Sequence, residues 1–222
     1  MRGVSTALVL LAILGVASGV SAADVGKSLA LQEALRLCVA SHSDVDQTTA
    51  AADASGWAAD PKHAAGALGF NAKPGPGMQF KSEARLKAFG LDHLELYVDD
   101  MRFRALHNRT CSVSDEGPGS THIPAAMRAM FGVEPSAQNG HFWEWIYEDG
   151  PSGRRFVRDD PNAADPPMAA TIAQTHPWPG ATVVTMGVTV GPGFGNIRYS
   201  ESAWNGSDPA PPSTGMAVAG AR

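Results

Sequence analysis

The chain has 222 residues, a formal charge of −5, and only 18% Asp, Glu, Lys and Arg. That mildly acidic balance, with no basic stripe, offers no electrostatic footprint for nucleic acid or for an anionic membrane surface. Two cysteines, Cys38 and Cys111, are too few for a disulfide-dense miniature scaffold, and the length suits one domain with a core of its own.

Residues 1–22 read as a cleavable export signal. Arg2 is the only charge before Asp24, Ala7 to Ala17 form an apolar core, and Val20 and Ala22 stand at an A-x-A-like site. Gly15, Ser18, Gly19 and Ser21 interrupt the apolar run before it reaches the roughly 20 residues that cross a bilayer. Cleavage is expected after Ala22, with Ala23 as the second choice, leaving a chain of charge −6 because Arg2 is lost. The mature protein is then periplasmic or secreted, with no stable membrane insertion. Outside the cytoplasm nothing keeps thiols reduced, so Cys38 and Cys111 are expected to pair. Residues 24–204 form the expected single exported domain. Residues 205–222, rich in Pro, Gly, Ala and Ser, form an expected disordered tail.

Ser28 precedes a run in which Leu31, Leu35 and Cys38 recur at helical spacing, so a capped helix with Cys38 on its buried face is expected. Ser43-Asp44-Val45-Asp46 starts a second helix, which Gly56 stops ahead of Trp57. From Asp60 to Met78 the Ala, Gly and Pro content reads as a surface loop, and Lys73-Pro74-Gly75-Pro76-Gly77 as unable to continue a regular element.

Leu94 to Ala105 alternates with period two, and a tight turn at Asp99-Asp100 would place Leu94, Leu96 and Val98 on one apolar face. Carrying that parity through His107 and Arg109 puts Cys111 on the same face. Ser120 to Pro124 opens a short helix that Gly132 stops. Phe142–Glu148 and Arg154–Arg158 make a hairpin if Glu148 pairs with Arg154, Ile146 with Phe156 and Glu144 with Arg158. In that register Trp143, Trp145 and Tyr147 go to the core, and the charged pairs to water. Val183–Val190, the turn Gly191-Pro192-Gly193-Phe194-Gly195 and Asn196–Ser200 form a last hairpin.

These elements describe an α+β domain. An antiparallel sheet of about five to six strands carries the N-terminal helical pair and one further short helix on one face. The alternative is a β-sandwich with peripheral helices.

Familiar sites are missing. No Gly-x-Ser-x-Gly elbow or Ser-x-x-Lys occurs, and no two of the seven histidines stand at i, i+4. No catalytic, cofactor-binding or metal residue is assigned, and no cofactor is implied. The weak candidates are His107 and Arg109, whose parity points to the apolar face, together with Asp99 and Asp100. Asn108-Arg109-Thr110 and Asn205-Gly206-Ser207 match the N-glycosylation triplet. The functional expectation is an exported non-catalytic protein that binds a small molecule or an envelope protein. The alternative is a hydrolase with its site near His107.

Overall fold

The structure, a computed structural model, describes residues 28–64, 72–103, 106–116, 121–150, 153–157 and 182–204. The expected signal segment and tail lie outside these.

Helix α1 (Leu29–Glu33) starts where Ser28 Oγ accepts from the Leu31 amide at 3.1 Å, and it runs straight into a π-helical segment, Ala34–Val39. Asp44 caps α2 (Val45–Asp53) by accepting from the Gln47 amide. Gly56, at φ 92°, provides the left-handed step that returns the chain to the sheet. Two short helices follow, α3 (Glu83–Ala88), which the pattern reading missed, and α4 (Ile123–Phe131), which carries Pro124 in its first turn and stops at Gly132.

Among the described residues, ten strands form one antiparallel sheet: β1 (Trp57–Ala64), β2 (Ala72–Pro74), β3 (Pro76–Phe80), β4 (His93–Phe103), β5 (Leu106–Glu116), β6 (Ala137–Asn139), β7 (Phe142–Gly150), β8 (Gly153–Val157), β9 (Thr182–Gly191) and β10 (Phe194–Trp204). Their order is β1-β3-β4-β5-β10-β9-β7-β6, with β2 added beside β4 and β8 beside β7. The class is therefore α+β, with more strands than the pattern reading supplied.

Register assigns the faces. Leu96, Val113, Ile197, Val188 and Trp143 fall in one row across five strands, and Val98, Cys111, Tyr199, Met186 and Trp145 in the next. This face is apolar and carries the helices. Cys38 of the π-helical segment is joined to Cys111 of β5 with their Cα atoms 5.3 Å apart, as expected. At the other end Phe131 of α4 stacks on Trp145 and touches Tyr147 and Phe156. Glu33, 1% exposed, ties α1 to both neighbours: it accepts from Trp57 Nε1 at 3.2 Å, from Arg85 at 3.3 Å, and from Arg36.

Three sequence expectations change. Asp99-Asp100 is not a turn but the interior of β4, and the chain reverses after Phe103, which pairs with Leu106. Neither Asp supplies the positive φ that a two-residue hairpin turn asks for. The longer strand still places Cys111 on the face of Leu94, Leu96 and Val98. The supposed loop from Asp60 to Met78 contains most of β1, all of β2 and part of β3. Pro61 falls within, and Pro76 at the edge of, the register shift between β1 and β3, where a missing amide does little harm. Gly75 bridges the two short strands by donating its amide to Val98 O at 2.8 Å. In the β7–β8 hairpin the register moves by one: Glu148 pairs with Arg155, Asp149 with Arg154, and Gly150 with Gly153. The glycines thus close a tighter turn, and Arg154 joins the aromatic face, with its guanidinium 4.1 Å from the Tyr147 ring centre. The Trp–Tyr stripe does pack in the core, but Glu144 and Glu148 on the other face are buried rather than solvated.

Two stability measurements check this architecture. A Cβ at Gly75 would lie 2.5 Å from Val98 Cγ1 and 2.7 Å from Val98 O, so Gly75→Ala is expected to lower urea stability by about 1–3 kcal/mol. Removing the disulfide as Cys38→Ala with Cys111→Ala frees a loop with a sequence separation of 73 residues. The expected loss is about 4 kcal/mol on chain-entropy grounds, read from the shift in the urea midpoint.

Candidate functional site

The apolar face changes character at one end. There the alternation of β4, β5 and β10 continues past Val98, Cys111 and Tyr199 into Asp100, Arg109 and Glu201, which form one cross-strand row. Arg102 and His107 pair in the row beyond. The same parity that builds the core therefore delivers a charged rim.

Three of the four weak candidates meet in this rim. His107 Nε2 lies 2.8 Å from Asp100 Oδ1, and Arg109 Nε lies 3.7 Å from Asp100 Oδ2. Arg109 also faces Asp44, the cap of α2, at 3.9 Å. Asp99 is on the opposite face, beside Thr110. Burial, and next the charge of Asp100, raise its carboxyl above the ordinary value.

The pattern reading missed the other half of the rim. His42 and Ser43 connect the π-helical segment to α2 with φ of 53° and 50°, a left-handed pair uncommon for residues with a Cβ. Ser43 is held in place by its amide on Cys38 O at 2.9 Å and its hydroxyl on Tyr199 O at 3.4 Å. The turn presents His42, whose Nδ1 is 2.6 Å from Glu201 Oε1. The Tyr199 hydroxyl donates to the same oxygen at 2.5 Å. The period-two pattern of Ile197, Tyr199 and Glu201 was available as a signal, but the expected strand ended one residue too early to include Glu201.

Tyr199 and Tyr147 extend the site inward. Burial pushes the Tyr147 phenol up to about 12, while Asp149 adds to the rise and Arg154 opposes it. Burial again, then the neighbouring Tyr147 and Glu201, hold Tyr199 well above the ordinary tyrosine range. Both phenols are therefore neutral at physiological pH.

Chemically the rim contains an imidazole anchored by a carboxylate, a second imidazole sharing a carboxylate with a phenol, and a guanidinium between two acids. Nucleophiles are otherwise engaged: Cys111, on the same face of β5, is in the disulfide, and the Ser43 hydroxyl is on a backbone carbonyl. Among the described residues no group of three or more His, Cys, Asp or Glu is placed to hold a metal ion. Asn108, in one of the two glycosylation triplets, has its side chain engaged within the sheet, accepting from Ser202 at 2.9 Å and donating to Thr110 at 3.1 Å. Asn205 lies outside the described residues.

The chain was compared with protein-family models, with curated proteins and with solved structures, and none of them matches.

The tyrosines give a pH signature. Raising the folded pKa of an acid leaves its contribution intact below the unfolded value, near 10, and removes it as pH climbs toward the folded value, near 12 for Tyr147. Stability is therefore expected to fall across pH 10 to 12. Tyr147→Phe should lessen that fall in urea titrations at stepped pH, because phenylalanine has no proton to lose, while Tyr97 and Tyr199, raised by burial as well, keep the remainder.

Proposed function

We propose that the chain is an exported, non-catalytic binding protein whose ligand or envelope partner engages the charged rim through Arg109. One observation carries the reading. Arg109 is about one third exposed, and its Nε–H is buried without a hydrogen-bond acceptor, the Asp100 carboxylate standing just beyond bonding distance at 3.7 Å. A buried donor left unmatched costs about 1–3 kcal/mol, so a ligand offering a carbonyl or carboxylate oxygen gains by matching it. Export is supported by the apolar, small-residue start of the sequence and by a disulfide of the kind an oxidising compartment permits. No helix among the described residues is long and apolar enough to cross a membrane.

The hydrolase alternative has one specific observation in its favour, the His107–Asp100 contact, which is how a general base is oriented. Against it, no hydroxyl or thiol of the described residues is hydrogen-bonded to His107, so the pair lacks the group it would activate. The other charges of the rim are spent on each other.

Native mass spectrometry of the protein recovered from its own exported fraction separates the two readings. The expected result is a chain beginning at Ala23, with an intact disulfide and a retained ligand that Arg109→Ala loses. His107→Ala should keep that ligand, and neither wild type nor variant should hydrolyse p-nitrophenyl acetate above background. Wild-type esterase activity abolished by His107→Ala would reverse the assignment in favour of the hydrolase.

A further inference from the structure

Arg109 has an acid neighbour that it does not use. Glu201 stands directly across from it on β10, a place from which an acid and a guanidinium ordinarily pair between strands. Yet among the described residues the acids within ion-pair distance of Arg109 are Asp100, at 3.7 Å, and Asp44, at 3.9 Å. Glu201 is held elsewhere. Its Oε1 accepts from the Tyr199 hydroxyl at 2.5 Å and lies 2.6 Å from His42 Nδ1.

The backbone works against this arrangement and the surroundings enforce it. His42 and Ser43 are consecutive residues in the left-handed region, at φ 53° and 50°, and such a conformation persists where contacts over-determine it. Ser43 makes the anchoring contacts, with its amide on Cys38 O and its hydroxyl on Tyr199 O. His42 adds little packing, since its side chain is 70% exposed. Among the described residues that side chain has one polar partner, Glu201. The strained turn therefore delivers an imidazole whose one contact is the acid that faces Arg109.

We propose that His42 is a positioning residue for Arg109: by keeping Glu201 turned away, it leaves the Arg109 Nε–H without an acceptor and so open to an incoming oxygen. This role rests on the reading of Arg109 as the ligand contact. It accounts for a rim in which three acids, Asp44, Asp100 and Glu201, surround one guanidinium and still leave a donor unmatched. Without the imidazole, Glu201 keeps the Tyr199 hydroxyl as a pivot, and its second oxygen turns to Arg109. The left-handed turn then has no task, and the unmatched donor is satisfied from within the chain.

The Arg109 Nε–H signal in heteronuclear NMR of the full chain reports the change of partner directly. In His42→Gly, which removes the imidazole and suits the left-handed backbone, that proton is expected to move downfield as Glu201 bonds to it, while the urea midpoint stays at or above that of wild type. A residue that only supported the fold would lower the midpoint and leave Arg109 unmoved. His42→Asn tolerates the left-handed turn and puts an amide nitrogen near the place of Nδ1, so it should keep the wild-type signal. Adding Glu201→Met to His42→Gly should return the signal to its wild-type position, because methionine offers Arg109 no carboxylate. Acetate and acetamide, titrated as probes, should shift the signal in wild type and bind about tenfold more weakly to His42→Gly, where an internal carboxylate competes. A wild-type Arg109 blind to both probes would remove the ligand reading and this role with it. An Arg109 signal unmoved in His42→Gly, or moved and not returned by Glu201→Met, would overturn the positioning role alone. Should His42→Gly not fold, His42→Ala carries the same NMR comparisons.

Discussion

The structure depends on one constraint: period-two alternation held in register across β4, β5, β10, β9 and β7. Slipping any of these strands by one residue would exchange its core side chains for its polar ones. The consequence is visible where Val98, Cys111, Tyr199, Met186 and Trp145 form one buried row. Only with Cys111 on the helix face can the disulfide to Cys38 close. It anchors the π-helical segment over the middle of the sheet, while Glu33 secures the same helix toward β1 and α3 through Trp57 and Arg85. At the far end, Phe131 performs the corresponding task for α4 by aromatic contact alone.

The same register explains why the rim exists. A strand that alternates must continue to alternate beyond the area its helices cover, and the residues that continue the core rows there are Asp100, Arg109 and Glu201. They carry charge because that end is only partly shielded. Their mutual pairing also limits their chemistry, since Asp100 is shared among Arg102, His107 and Arg109. Such sharing fixes the orientation of the side chains around Asp100.

Local signals were legible in the sequence, and long-range pairing was not. The cap at Ser28, the helix start at Ser43 to Asp46, the stops at Gly56 and Gly132, and the alternation of Val184, Met186, Val188 and Val190 all act within a few residues, and each reads correctly. The disulfide was legible too, because Cys38 and Cys111 each carried a face assignment from their own element. The errors arose where tertiary contact outweighs local preference. Lys73 to Gly77 has turn chemistry yet lies along β4, because Val98 O supplies a partner for the Gly75 amide. Asp99 and Asp100 look like loop residues, and they remain in a strand because Thr110 and Arg109 stand opposite. For the rim, His107 and Arg109 were legible from parity, whereas Asp100 was expected in a turn and joins them because β4 continues through it. His42 was not, since its place beside Glu201 depends on a left-handed turn that no local pattern announces.

The two faces of the sheet differ in how they treat polar groups, and that difference bears on function. On the helix face, ionic side chains cluster at the rim, where water shares the cost of holding them. On the opposite face, Glu144 and Glu148 are buried within the sheet, where a carboxylate is stable only if it is paired and hydrogen-bonded. Glu144 is close to Arg198, at 3.6 Å, and Glu148 is bonded to Arg155, so the charges are matched. Charge matching and hydrogen-bond matching are separate requirements, and Glu148 meets the second only at Oε2, while Oε1 is buried without a partner.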